Sequence, residues 1–154
     1  MLLASGALAL VGASTARAAT DERTILLGLW RREMNANLAY TQVEHVDRVF
    51  VPLRRHEFEH GQALATELAA VGLGTPARPK LEDLDATSER LARARGREEV
   101  VAAASDLEDE LIGLYQHALA GLPDPKIAMT VATILASHAQ HRVALGADAL
   151  AGAR

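Results

Sequence analysis

The sequence predicts an all-α protein, a bundle of four long helices, on three observations. Nearly half of its 154 residues are apolar, mostly Ala, Leu and Val, with one Trp, two Tyr and two Phe. Small side chains of that kind suit helices packed at close range. Four stretches carry apolar residues at steps of three and four, the helical period, and strand-like alternation is nearly absent. The chain also repeats itself: Glu33 and Tyr40 precede Glu57-Phe58-Glu59-His60-Gly61-Gln62-Ala63-Leu64, and Glu108 and Tyr115 precede His138-Ala139-Gln140-His141-Arg142-Val143-Ala144-Leu145. Both halves read E-x6-Y, a gap, then [E/H]-x-x-H-x-x-A-L.

Residues 1–19 read as a segment apart from the domain of residues 20–154. Leu2 to Val11 is an apolar run too short to span a bilayer comfortably, and Ala16-Arg17-Ala18 has the form of an A-x-A cleavage signal. The expectation is a signal peptide and an exported protein, periplasmic, envelope-bound or extracellular, with no transmembrane span in the mature chain. A basic n-region is expected upstream, a twin-Arg pair being one form of it, with general and twin-Arg export both open.

The first helix should begin at Thr20 or Asp21, either of which can cap, and run to about Val46. Pro52 suits the first turn of the second, which Gly72 and Gly74 stop after Val71. Thr75 to Lys80, with two prolines, is a loop. Leu81 to Arg95 is polar, with a short helix expected after Thr87-Ser88, and Glu82 to Arg97 reads as a solvated connector. The third helix spans about Arg97 to Leu119 and ends at Gly121. Asp124-Pro125 caps and opens the fourth, which should reach about Leu150.

On the apolar stripes of these helices lie residues that ought not to be there. The first gives Leu26, Leu29, Glu33, Ala36, Tyr40 and Val43; the second Leu53, Glu57, His60, Leu64, Leu68 and Val71. The third gives Val101, Ala104, Glu108, Leu111, Tyr115, Ala118 and Leu122; the fourth Ile127, Val131, Ile134, His138, His141, Leu145 and Ala149. Burying one unpaired carboxylate costs on the order of several kcal/mol, comparable with the whole stability of a small domain. Three glutamates and three histidines converging in one core therefore need neutralising. Divalent ions do this directly; a network of carboxylate–imidazolium pairs is the alternative. With no cysteine, any metal must be held by oxygen and imidazole nitrogen.

At these residues the chain resembles the ferritin-like superfamily, over about residues 21 to 150, and in style its exported members rather than the cage-forming ferritins. The di-iron members carry a Glu on each of two helices and a Glu-x-x-His on each of the other two. The resemblance implies metal ligation by Glu33, Glu57, His60, Glu108, His138 and His141. It also implies iron, with manganese or zinc as alternatives, as one or two ions meeting dioxygen or peroxide. His138 departs from the pattern, standing where a bridging glutamate is usual, so an asymmetric or mononuclear site is the expectation. The alternative function is a non-enzymatic scaffold or partner-binding module with a degenerate site.

Other readings carry less. His56-Glu57-Phe58-Glu59-His60 matches the H-E-x-x-H zinc-protease helix. Its extended form would need Gly at Ala63 and His at Thr66, and no strand pattern precedes it. His56 should point off the core or support a ligand. Glu59, Asp106 and Glu110 are reserve ligands if the register slips, Glu110 first. Glu44 and His45 should face solvent or pair across the helix boundary, and His117 should be exposed. Trp30 reads as a packing or interface residue, and the two tyrosines as core hydrogen-bonders. A net charge of −4 without a basic stripe argues against nucleic acid. Pairing into a homodimer is expected of an Ala-rich bundle. No catalytic residue is assigned.

Overall fold

The computed structural model describes the backbone of residues 6–152 and the side chains of residues 21–147. It is all-helical: α1 (Gly6–Val43), α2 (Phe50–Ala70), a 3-10 turn (Leu81–Asp83), α3 (Ala86–Arg93), α4 (Gly96–Leu119) and α5 (Pro125–Gly152). Four long helices form the bundle, and α3 lies across it in the long connection between α2 and α4. The start expected at Thr20 or Asp21 is not a helix boundary, because α1 runs unbroken from Gly6. The signal-like reading of residues 1–19 falls on side chains outside the described residues. No helix among the described residues is long and apolar enough to cross a membrane.

The helix ends follow from local chemistry. The chain leaves α1 at Val43, three residues before the expected Val46, and turns at Asp47. There the Asp47 carboxylate accepts from the Val49 amide and pairs with Arg97 at the start of α4. Past α2, Gly72 takes φ +80°, the amide of Leu73 reaches back to the Leu68 carbonyl, and that of Gly72 to Ala69. Both bonds belong to the glycine-dependent stop that the sequence announces. Asp124 Oδ1 accepts from the amides of Lys126 and Ile127, capping α5 at Pro125 as expected.

Side-chain pairs fix the directions. Tyr40 on α1 reaches Glu108 on α4 while Tyr115 on α4 reaches Glu33 on α1, which requires the two helices to run antiparallel. His56 meets His141 near the start of α2, and Glu67 meets Thr130 near its end, so α2 and α5 are antiparallel too. The six ionisable stripe residues thus share one level. Toward one end the core holds Leu26, Leu29, Leu64, Leu68, Leu111, Ile127 and Val131; toward the other it holds Val43, Phe50, Leu53, Val101, Ala104 and Leu145, all buried. Burial of each large side chain contributes about 1.5–3 kcal/mol, so the polar level is clamped between two apolar ones. Ala149 lies outside the described side chains.

The segment from Glu82 to Arg97 is not the solvated connector its charge suggests. Ser88 and Leu91 on α3 are fully buried and Ala94 nearly so; spaced by three, they form a narrow face that packs on α1. Asp85, not Thr87-Ser88, caps α3 by accepting from the Ser88 amide, and its carboxylate also binds Asn35 and Arg32 of α1. Arg32 extends the network to Glu110, which also takes the Thr87 hydroxyl. Charge made the segment look solvated, but Ser88, Leu91 and Ala94 are buried beneath it and Asp85 itself turns toward α1.

Candidate metal centre

All six predicted residues come together. Glu33, Glu57, Glu108 and His138 have no exposed surface, His141 has 4% and His60 9%. Their ligand atoms form two overlapping groups: Glu33, Glu57, His60 and His138 in one, Glu57, Glu108, His138 and His141 in the other. Within each group the ligating atoms lie inside 4.8 Å of one another, close enough to hold an ion. Glu57 and His138 belong to both.

The repeat shows itself as geometry. Tyr40 donates to Glu108 Oε1 at 2.6 Å, and Tyr115 donates to Glu33 Oε1 at 2.5 Å. Each tyrosine, two turns beyond the glutamate of its own helix, holds the glutamate of the other. Burial first, and then the adjacent carboxylates, push both phenols well above their ordinary pKa, so they stay donors. The outer oxygens face imidazoles: His60 Nδ1 lies 3.1 Å from Glu33 Oε2, and His141 Nδ1 lies 3.3 Å from Glu108 Oε2. His138 spans the two halves, Nδ1 at 2.8 Å from Glu108 Oε2 and Nε2 at 3.1 Å from Glu33 Oε1.

Glu57 is the exception. Neither of its buried carboxylate oxygens accepts a hydrogen bond. His141 Nδ1 approaches Oε1 at 3.2 Å, the separation of a hydrogen bond without its angle, and His60 Nδ1 stands 3.7 Å from Oε2. A buried carboxylate without donors is costly, and the electrostatics reflect it. Burial, reinforced by Glu33 and Glu108, pushes the Glu57 carboxyl up to about 7. Glu33 and Glu108 go the other way: burial opposes their ionisation, but His138 outweighs it, helped at Glu33 by His60 and at Glu108 by His141. Glu33 is held well below the usual carboxylate range and Glu108 at about 2. Burial would lower the histidines, yet the surrounding carboxylates raise His60 and His141 to about 9 and His138 to about 11. Without an ion, the level is a proton-holding cluster of three glutamates against three histidines, with the oxygens of Glu57 lacking donors. The donor set and the two free oxygens of Glu57 fit divalent cations.

The reserve ligands face elsewhere. Glu59 pairs with Arg55, Asp106 with Arg90, and Glu110 with Arg32. Glu44 pairs with Arg54 across the helix boundary, His45 and His117 are exposed, and Trp30 is core. His56 stands beside the set without joining it: its Nδ1 lies 3.0 Å from His141 Nε2, with the two rings stacked, and Ser137 Oγ is 3.4 Å from the same nitrogen. The sequence allows His56 a supporting place, but nothing in it signals the contact with His141 or with Ser137. The H-E-x-x-H reading would need both histidines on one ion, yet His56 is in neither group.

The packing that brings α1 against α2 is tight at this level. A Cβ on Gly61 would sit 2.7 Å from Met34 Sδ and 3.8 Å from Glu33 Cβ, so glycine beside His60 sets the approach of the two helices. No curated protein and no solved structure matches the chain significantly. A family model described as the ferritin-like domain matches residues 11–149, which takes in α2 and α4, most of α1 and α5, and all six residues. The chain belongs to the ferritin-like domain family.

Proposed function

We propose that the chain is an exported metal-binding protein whose bundle core holds one or two divalent ions, iron by preference and manganese or zinc as alternatives. With a redox ion bound, that ion would supply electrons for the reduction of dioxygen or peroxide. The chain's residues do the rest. Glu33 and Glu108, pinned by Tyr115 and Tyr40, offer fixed oxygens; His60 and His141 offer Nδ1; the apolar layers above and below exclude water. The observation that carries this reading is Glu57, fully buried with two oxygens that no donor satisfies. The apolar run and A-x-A signal ahead of residue 20 support export.

Anaerobic Fe(II) titration of the protein, followed by admission of oxygen, tests it. Saturable binding is expected, lost in Glu57→Ala and His60→Ala, with oxidation of the bound ion. Absence of binding, or binding unaffected by both variants, would reject it. One observation favours the second reading, a scaffold without metal: His138, protonated, can donate to Glu108 and Glu33 together. A scaffold would melt at the same temperature with chelator as with metal, whereas a metal protein gains stability by mass action.

A further inference from the structure

The departure at position 138 carries an inference of its own, which rests on the metal-binding reading above. Two residues are common to both ligand groups, and each turns a different atom to each group. Glu57 brings Oε2 toward His60 and Oε1 toward His141. His138 brings Nε2 to Glu33, at 3.1 Å, and Nδ1 to Glu108, at 2.8 Å. The ring therefore lies across the centre of the core, one nitrogen per group, where a terminal ligand would offer one nitrogen and turn the other away. His141 does that: its Nδ1 faces the carboxylates and its Nε2 faces His56.

We infer that His138 joins two metal ions, one at each ring nitrogen, with Glu57 as the second bridge through its two oxygens. Charge supports this. Glu33, Glu57 and Glu108 supply three negative charges against the four positive charges of two divalent ions. An imidazole bonded to metal at both nitrogens has released both ring protons to solvent and carries one negative charge, which closes the difference. The four-carboxylate, two-histidine set of the di-iron proteins reaches the same total. Neutrality matters because every ligand here is buried, and residual charge in such a place is poorly tolerated. The histidine is then a substitute bridge rather than a lost ligand.

The test uses Zn(II) as the probe on the full chain. Equilibrium dialysis should give two zinc ions per chain for the wild type and one for His138→Gln, which cannot bridge in this way. His138→Glu should keep two and serves as the control for folding, with circular dichroism of all three variants. Crystals of the zinc-loaded wild type, phased at the zinc edge, should place one ion about 2.0–2.1 Å from each His138 nitrogen. Two ions bridged by Glu57 alone, or a single ion with one His138 nitrogen still donating to a glutamate, would overturn the bridge and leave the metal centre standing. No bound zinc in the wild type, with Fe(II) and Mn(II) also failing, would overturn both.

Discussion

Glu57→Gln should make the metal-free protein more stable and the metal-loaded protein less so. The wild-type carboxylate is fully buried, both oxygens lack donors, and its carboxyl is pushed up to about 7. At pH 8 it is ionised in a place that disfavours charge. A buried group left unsatisfied costs about 1–3 kcal/mol, more when charged, and the nearby histidines return part of that. The neutral amide of the same shape should therefore raise apo stability by about 1 kcal/mol or more, which in a domain of this size is a Tm increase of at least about 2–4 °C. The folded pKa lies above the ordinary carboxylate value, so the wild type's disadvantage grows as pH rises through about 7. It shrinks as pH falls below 7 and vanishes below about 4.5, where the carboxyl of the unfolded chain holds its proton too. With metal at a hundred times Kd, the wild type should gain about 2.7 kcal/mol and the variant little. Thermal unfolding at pH 5 and pH 8, with chelator and with Mn(II), reads all four quantities. An apo variant less stable than wild type at pH 8 would refute the reasoning, since Glu57 would then be a structural partner.

Four further outcomes follow from the same geometry. His56→Ala should weaken metal binding about 10–100-fold, as loss of a ligand's outer hydrogen-bond partner does, without moving the apo Tm by more than a degree or two; unchanged affinity in a chelator competition would remove His56 from the site. The histidines lend the apoprotein stability that is complete below about pH 6.5 and lost as pH climbs through about 9 for His60 and His141 and through about 11 for His138. Zinc competes for those protons, so its Tm increment should grow from pH 6 to pH 9, and a flat or falling increment would contradict the assignment. Gly61→Ala places a Cβ 2.7 Å from Met34 Sδ and should cost about 1–3 kcal/mol by overpacking in urea unfolding; a neutral result would mean that the Met34 side chain moves aside. Asp85→Ala removes the α3 cap and two contacts to α1, a loss of about 1–2 kcal/mol detectable in the same assay.

The fold was legible because burial and helical period coincide. All the stripe positions with described side chains are buried except Val71 and Leu122, which are partly so. The site was legible because ionisable residues inside an apolar stripe have few physical excuses, and the duplicated spacing supplied four helices at once. What the sequence hid was lateral. Ser88, Leu91 and Ala94 make a packing face only two turns long, too short for its period to stand out among the charged residues around it. The pairing of His56 with His141 joins residues 85 apart, and nothing local announces it. His138 was readable as an exception to a pattern, but the reach of its two nitrogens toward opposite glutamates is a property of the assembled core.

The central claim is that six buried side chains meet because cations hold them together. The most direct measurement is elemental analysis of the purified protein, stripped with chelator, reloaded anaerobically with Fe(II) and desalted, beside Glu57→Gln treated identically. Iron retained at one or two ions per wild-type chain and absent from the variant is the predicted result. A wild type that keeps no metal, or a variant that keeps as much, would contradict it.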